Sequence, residues 1–359
     1  MKRLSPALSL PPVVLVSLVL ASPAAAGVDP LSGIDFVHIT DPGNAPWPGN
    51  GTPGDRAIGR GGVNYNYHIG RMEVTTAQWV EFFNAAYDRP VDDRLPHLIP
   101  PTFWGASSTT PNTPGGLRWA VPPGNENIPV GNISWRMAAM YANFLHNGKQ
   151  TNREAFLDGA YDVSTFHNAD GRPGFADQPT NLPDARYWIP TWDEWLMAAH
   201  YDPNRNGLGE GGWWVFSNSS DTPASPGPPG IGEANYGWNS STYPGLSPFR
   251  VPLGAYPDVQ SPWGLLDLAG ATSEWTEEIF TSNIGDQVRI YEGSWWASSS
   301  GIGFADSIYA RSSIFPTFSS LEHGLRIASV VPAPSAVSAF GCVALLLSGR
   351  RRRRCRATA

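Results

Sequence analysis

The chain has 359 residues, of which 41% are hydrophobic, 38 are glycine, 35 are proline and 15 are tryptophan, and it carries a net charge of −7 at pH 7. The hydrophobic fraction suffices for a packed core, whereas the glycine and proline content indicates irregular structure held in place by large aromatic side chains. The acidic balance excludes a general affinity for nucleic acid, because phosphate backbones bind basic surfaces.

The first 26 residues have the pattern of a secretory signal. Lys2 and Arg3 provide a basic start, residues 12–20 are apolar, and Ala24–Ala26 form a small-residue cleavage site. The alternative is a membrane anchor that is not cleaved. The pattern predicts export of a chain whose body begins at residue 27.

Residues 331–359 have the pattern of a sorting signal. A proline-containing motif at 331–335 precedes a short apolar run at 336–347 and a basic cluster at 350–354. The apolar run is shorter than a membrane-spanning helix requires. The segment resembles a bacterial PEP-CTERM signal in which Ala333 replaces the usual glutamate. This resemblance implies processing by an exosortase-type machinery, membrane contact only through the unprocessed tail, and a final location at the cell surface or in the extracellular matrix of a bacterium.

Removal of both ends would change the chemistry of the chain. The two cysteines, Cys342 and Cys355, lie in the tail, so residues 27–330 contain neither a disulfide nor a thiolate. Eight of the 24 basic residues and none of the 31 acidic residues lie in the two ends, which leaves a net charge of −15 on the body. That charge suits divalent cations or a solvated surface and disfavours nucleic acid as a partner.

Two strands are predicted near the start of the body, followed by three helices. Residues 34–39 and 64–69 alternate in polarity as strands do, and the stretch between them is rich in glycine, proline and asparagine. The helices are predicted within 71–87, 134–147 and 191–201. Each has a serine or threonine at the N-cap position and an apolar stripe.

The predicted helices are short and widely separated. Non-regular stretches at 88–128 and 203–262 lie between and after them, and such long loops in a compact domain require bound metal or buried aromatic residues to order them. The sequence has no internal repeat and no linker that divides residues 27–330. It therefore predicts one loop-rich α+β domain.

The segment 261–276 concentrates oxygen ligands. If it is extended, the carbonyl groups of Gly270 and Thr272 and the carboxylate of Glu274 face one side, because groups two residues apart do so. Together with Asp267 they would form a pocket of hard oxygen atoms, the type of ligand that calcium prefers.

The same acidic residues have a simpler interpretation. Asp267 would cap a turn, and Glu274 would pair with an arginine such as Arg289 or Arg326. Acidic side chains in proteins are more often solvated or paired than bound to a metal, so both interpretations stay open at this point.

Six blocks of the body match, in order, the motifs of the sulfatase-modifying-factor family, which includes the formylglycine-generating enzyme. They are EVTTAQWVEFFNA at 73–85, PVGNISWRMAAMYANFLHNGK at 129–149, YWIPTWDEWLMAAHYDP at 187–203, SPWGLLDLAGATSEWTEE at 261–278, EGSWW at 292–296 and HGLRIA at 323–328. The resemblance covers nearly all of 34–329. It implies the family's fold, an elaborated C-type-lectin-like α+β domain with little regular secondary structure.

The resemblance also implies structural calcium. Members of the family bind calcium at two sites, and the matching residues here are Asp267, Gly270, Thr272 and Glu274 for the first site and Asn235 and Tyr236 for the second. Ala271 and Ser273 replace an asparagine and a tryptophan of the family pattern, which would loosen the first loop.

The catalytic cysteines of the family are missing. They hold copper(I) just after the G-G-S motif, and the matching positions here are Ala297 and Ile302, neither of which binds copper. We therefore expect neither copper nor formylglycine-generating activity. Other relatives use non-haem iron, and His200-Tyr201-Asp202 is the one candidate motif for such a site, against an ordinary histidine at a helix end.

These observations predict an exported, cell-surface family member that acts as a calcium-stabilised binding or structural protein. Its tryptophan-rich loops would contact an extracellular polysaccharide, or the domain would recognise a surface protein. The alternative function is a metal-dependent oxidoreductase of the non-haem iron type with an unknown substrate.

Overall fold

A computed structural model describes residues 27–109, 118–167, 177–281, 287–298 and 305–330. The predicted signal at 1–26 and the predicted sorting tail at 331–359 lie outside these ranges. In the described part, no helix has both the length and the apolar character needed to cross a membrane.

Regular structure is sparse. The helices are α1 (Thr76–Tyr87), α2 (Trp135–His146), α3 (Glu154–Leu157) and α4 (Trp192–His200). The strands are β1 (Phe36–Ile39), β2 (Tyr67–Gly70), β3 (Ser107–Ser108), β4 (Trp119–Ala120), β5 (Tyr187–Trp188), β6 (Tyr201–Asp202), β7 (Gly212–Trp213), β8 (Ser273–Thr281), β9 (Gln287–Glu292), β10 (Ser312–Ile314), β11 (His323–Gly324) and β12 (Ala328–Ser329). The predicted α+β class with little regular secondary structure is confirmed.

The three predicted helices are present, and each begins directly after a predicted N-cap residue. Thr75 and Gln78 make a capping box before α1, and Thr191 and Glu194 make another before α4. The side chain of Ser134 accepts a hydrogen bond from the backbone at the start of α2. The apolar stripes of α1 and α2 are buried, so packing of these faces holds the short helices in place.

Two four-stranded sheets form the framework. The first has the order β1-β2-β12-β5 and is antiparallel, and the second has the order β10-β9-β8-β11, with β11 parallel to β8. The segment 323–329 supplies β11 to the second sheet and β12 to the first. These seven residues therefore join the two sheets.

Aromatic residues fill the core between the helices and the sheets. Nine of the fifteen tryptophans are buried and the other six are half-buried. Trp79, Trp135 and Trp275 are completely inaccessible to solvent. Large buried aromatic rings therefore hold in place a chain that consists mostly of loops.

Gly324, in the segment that joins the two sheets, is a position where Thr272 and Val130 leave no room for a side chain. A Cβ atom there would lie 2.8 Å from the Cβ of Thr272 and 3.0 Å from the carbonyl oxygen of Val130. We expect Gly324→Ala to lower the free energy of unfolding by about 1–3 kcal/mol, because overpacking forces neighbouring atoms to shift. Denaturant unfolding measures this loss.

Gly62→Ala is the matched control, since the nearest atom to a Cβ at that position is 3.5 Å away. An equal loss of stability in both variants would contradict the tight junction at Gly324.

Candidate functional site

The segment between Gly264 and Glu274 is a turn rather than an extended strand. Gly270 has a φ of +89° and Ala271 a φ of +58°, and β8 begins only at Ser273. The expectation that the oxygens of Gly270, Thr272 and Glu274 alternate along an extended segment is therefore wrong. The turn arises because Gly270 packs on the backbone of Asn235, where a Cβ atom would lie 2.6 Å from the carbonyl oxygen.

Glu274 forms a buried ion pair with Arg326. The distances from the guanidinium to the carboxylate are 2.7 Å for Nη2–Oε1 and 2.9 Å for Nε–Oε2, and both residues are buried. The indole Nε1 of Trp195 donates a third hydrogen bond, of 2.7 Å, to Oε2. Both carboxylate oxygens of Glu274 therefore accept hydrogen bonds. Of the two interpretations of Glu274, the ion pair with an arginine is the one that the structure contains.

Arg326 also binds two backbone segments. Its Nη1 donates to the carbonyl of Gly70 at 2.8 Å, and its Nη2 donates to the carbonyl of Leu266 at 2.9 Å. The guanidinium therefore connects the end of β2, the turn and β8. A buried guanidinium that uses its donors in this way is part of the framework.

Two further carboxyl groups lie close to this pair. Glu73 accepts hydrogen bonds from the backbone nitrogen and the hydroxyl of Thr272, at 3.1 and 2.6 Å. Burial and the neighbouring Glu274 raise the pKa of Glu73 well above its usual range. Asp267 accepts a 2.6 Å hydrogen bond from the backbone nitrogen of Gly254, and burial raises the pKa of Asp267 to about 6.

The residues of the predicted second site adjoin the turn. Asn235 pairs with Gly270 in an isolated parallel bridge, and its carbonyl accepts a 3.1 Å hydrogen bond from the backbone nitrogen of Ala271. The Asn235 amide nitrogen donates to the carbonyl of Pro248 at 3.0 Å, whereas Oδ1 is buried and has no donor among the described residues. The Tyr236 hydroxyl donates to a carbonyl at 2.5 Å. Calcium binding by the six predicted residues stays a prediction.

Sequence reasoning missed the carboxyl group that supports this region from the other side. Asp306 accepts a 2.7 Å hydrogen bond from the backbone nitrogen of Ser294, and the Ser294 hydroxyl oxygen accepts one of 2.8 Å from the backbone of Gly270. Burial raises the pKa of Asp306 to about 7. Glu73 was missed too, because its contact with Thr272 spans 199 residues of the chain.

Directly after Ser294 the chain forms an aromatic patch, defined as Phe249, Trp295 and Trp296. The ring centroids of Phe249 and Trp296 are 3.9 Å apart, and those of the two tryptophans are 5.1 Å apart. Phe249 is 38% exposed, and both tryptophans are half-buried. Ala297 follows them and is exposed.

The histidine of the iron alternative lies in the core. His200 is 1% exposed, packs on Trp195 and has an Nδ1 without a partner among the described residues, and burial lowers its pKa to about 3. Asp202 accepts hydrogen bonds from the backbone of Asn204 and the indole of Trp214. In the described part of the chain, no three His, Cys, Asp or Glu side chains are grouped so that they could hold a metal ion.

A family model now identifies the domain. The model of the sulfatase-modifying factor enzyme 1-like domain matches residues 58–330. The chain belongs to the sulfatase-modifying-factor family. The family fold expected from the six sequence blocks is confirmed, and the turn with its buried ion pair lies in the block at 261–278.

Several solved structures are similar to most of this chain at low identity. CarF matches with 19% identity and a TM-score of 0.45, over 83% of this chain and 99% of CarF. Treponema denticola variable protein 1 matches with 18% identity and a TM-score of 0.46, over 83% of this chain and 95% of that protein. PvdO from Pseudomonas aeruginosa matches with 14% identity and a TM-score of 0.42, over 84% of this chain and 95% of PvdO. No curated protein sequence matches. These likenesses concern the fold alone.

The buried pair makes a quantitative prediction. Replacing Arg326 with methionine leaves Glu274 buried without a counter-charge, so we expect a loss of about 3–5 kcal/mol in the free energy of unfolding at neutral pH. Chemical denaturation at neutral pH measures the effect.

Arg71→Met serves as the control, since Arg71 pairs with Asp35 at 2.7 Å in a half-exposed position. Exposed pairs contribute about 0–1 kcal/mol. If the two variants lost equal stability, Arg326 would not be the central residue of the framework.

Proposed function

We propose that this protein is an exported, non-catalytic member of the family that binds polysaccharide at the cell surface through its aromatic patch. One observation carries the proposal. Where the family resemblance places the copper-binding segment, this chain has Trp295, Trp296 and the exposed Ala297, with Phe249 packed beside them. Rings that are fixed by packing and partly open to solvent are suited to stacking on sugar rings.

The composition of the body supports the loss of the family reaction. Residues 27–330 contain no cysteine, and copper(I) is held by soft thiolate or thioether ligands in proteins. Ala297 offers neither. The domain therefore keeps the family scaffold while the surface beyond Ser294 has the chemistry of a binding site.

The aromatic patch rests on a rigid base. The backbone nitrogen of Trp296 donates to the carbonyl of Ala271 at 3.1 Å, and its carbonyl accepts a 3.2 Å hydrogen bond from Gly237. The patch is therefore attached to the turn at 270–271. Rings held in this way lose little conformational entropy on binding, which favours affinity.

The two ends of the chain support a surface location. A signal at 1–26 would direct export, and the tail at 331–359 would be processed by an exosortase-type machinery. The mature domain would then lie where extracellular polysaccharide is abundant. A surface protein is the competing partner, and it would be captured without any requirement for sugar.

We further propose that calcium stabilises the domain through Asn235. Oδ1 of Asn235 is a buried acceptor without a donor, and such an oxygen is a suitable ligand for a hard cation. Tyr236 follows Asn235 in the chain and Gly270 is the partner of Asn235 in the parallel bridge, so their carbonyl groups are the candidates for further ligands. Glu274 would stay paired with Arg326, and the cation would serve as a structural element.

The aromatic patch predicts which residues control sugar binding. We expect Phe249→Ala and Trp295→Ala each to weaken binding of the mature domain to a neutral polysaccharide such as dextran by about fivefold or more, because a ring at the centre of a binding surface contributes about 1 kcal/mol or more. Affinity gel electrophoresis of folded variants measures the change.

Trp214→Ala is the control, because Trp214 is also half-buried but lies under the guanidinium of Arg205 at 4.2 Å. Its binding should equal that of the unchanged protein. Binding that survives both patch substitutions, or no binding to any polysaccharide, would contradict the proposed function.

The calcium proposal predicts a melting shift. Chelation should lower the melting temperature of the body, with a stabilisation of about 2.7 kcal/mol when calcium is present at 100 times its dissociation constant. Asn235→Ala should melt at one temperature with and without calcium. Asn84→Ala, which removes a hydrogen bond to Trp119, should keep the shift. Elemental analysis without calcium, together with no shift on chelation, would refute the site.

A further inference from the structure

Arginines and aromatic rings alternate along one edge of the domain in what we call the arginine ladder, which is defined by Arg60, Trp192, Arg311, Phe280 and Arg56. The guanidinium of Arg60 lies 4.7 Å from the Trp192 ring centroid, and that of Arg311 lies 5.7 Å from the same ring. Arg311 is 4.0 Å from the Phe280 centroid, and Arg56 is 5.7 Å from it. Three guanidinium groups are therefore held beside two rings.

Acidic side chains neutralise one of the three arginines. Arg60 bonds to Glu278 through both terminal nitrogens, at 3.1 and 2.7 Å, and to Asp193 through Nε at 2.9 Å. Neither Arg56 nor Arg311 forms an ion pair with an acid in the described ranges. The positive charges of Arg56 and Arg311 are therefore not neutralised by a bonded carboxylate of the described residues, as the charge of Arg60 is.

The nearest buried acid does not fill this role. Glu292 is 3% exposed and accepts a 2.5 Å hydrogen bond from the indole nitrogen of Trp192. Burial raises the pKa of Glu292 well above its usual range, which favours its uncharged form. Burial lowers the pKa of Arg311 and the neighbouring guanidinium of Arg56 lowers it further, whereas the carboxyl groups of Glu292 and Glu278 oppose this shift from beyond ion-pair distance. An anion placed between these two arginines would relieve that repulsion.

We propose that Arg56 and Arg311 bind the oxyanion groups of an acidic extracellular polysaccharide, as carboxylate or sulfate ester. A guanidinium stacked on a ring keeps its N–H edge free, and that edge matches a carboxylate or sulfate through paired hydrogen bonds. Arg56 is exposed and Arg311 is half-buried, so the edge is accessible. This inference rests on the proposed polysaccharide binding and specifies the charge of the ligand.

The net charge of the body opposes this ligand, so the binding must come from local charge. The body carries a net charge of −15 and as a whole repels polyanions. A polyanion would bind only where local positive charge offsets this repulsion, and the ladder provides at one place two guanidinium groups without a bonded carboxylate among the described residues. Binding there would weaken with salt, because exposed charges are screened.

The chain contains a matched control for the ladder. Arg205 also stacks on a ring, at 4.2 Å from the Trp214 centroid, but it is paired with Asp221 at 2.5 Å. Its charge is already neutralised. Arg205→Ala therefore removes a stacked, half-buried arginine, comparable in burial to Arg311, without removing an anion-binding edge.

The test compares three polymers on the body of the protein, residues 27–330. A polyuronate carries carboxylate, dextran sulfate carries sulfate ester, and dextran carries no charge. Isothermal titration calorimetry in low and high salt, with free inorganic sulfate as competitor, gives the affinities. We expect one or both charged polymers to bind at least tenfold more tightly than dextran in low salt, and the preferred polymer identifies the oxyanion.

The Arg56→Ala and Arg311→Ala variants should lose this preference, alone in part and together in full, while their binding to dextran and their melting temperatures remain unchanged. Arg311→Lys should retain only part of it, because an ammonium keeps the charge without the planar fork. The Arg205→Ala control should retain all of it. Competition by free sulfate at equal strength would indicate a site for the small ion.

Several results would overturn the proposal. Equal affinity for dextran and both charged polymers would refute the ladder as a ligand site and leave the aromatic patch as the binding surface. A preference for charged polymers that persists in the double variant would place the anion elsewhere. Displacement by free sulfate alone, without polymer binding, would refute both the ladder proposal and the proposed function.

Discussion

The buried ion pair between Arg326 and Glu274 is the interaction on which the rest of the structure depends. Arg326 lies in the segment that joins the two sheets, and its donors reach β2, the turn after Gly264 and β8. Trp195 of α4 adds a hydrogen bond to the same carboxylate. Closing many long loops costs conformational entropy. The ion pair offsets part of this cost because it fixes distant segments at one point.

The residues that hold this framework together differ from those that we propose to bind ligands. Glu274, a predicted calcium ligand, is engaged in the framework, whereas Oδ1 of Asn235, next to the turn, has no donor among the described residues. Beyond Ser294 the chain leaves the core and carries the aromatic patch, attached to the turn through the backbone of Trp296. The ion pair of Arg326 and Glu274 involves none of residues 295–297, so side chains there can change without altering this pair.

Local features were predictable from the sequence and long-range ones were not. The capping residues Thr75, Ser134 and Thr191, the apolar stripes and the α+β class follow from short patterns, and all are present. The left-handed turn at Gly270 and Ala271 arises from contact with Asn235, 35 residues away in the chain. Glu73 meets Thr272 across 199 residues, and the arginine ladder joins positions 56 to 311. No local pattern encodes which of these residues meet.

We propose that this chain retains the scaffold of the sulfatase-modifying-factor family without the copper-dependent thiol oxidation that the family resemblance implies. The most direct measurement incubates the purified body, residues 27–330, with copper(I), oxygen and a cysteine-containing peptide, followed by mass spectrometry of the peptide and copper analysis of the protein. The account predicts an unchanged thiol and no copper retained after dialysis. Conversion of the cysteine to formylglycine, or stoichiometric copper on the protein, would contradict it.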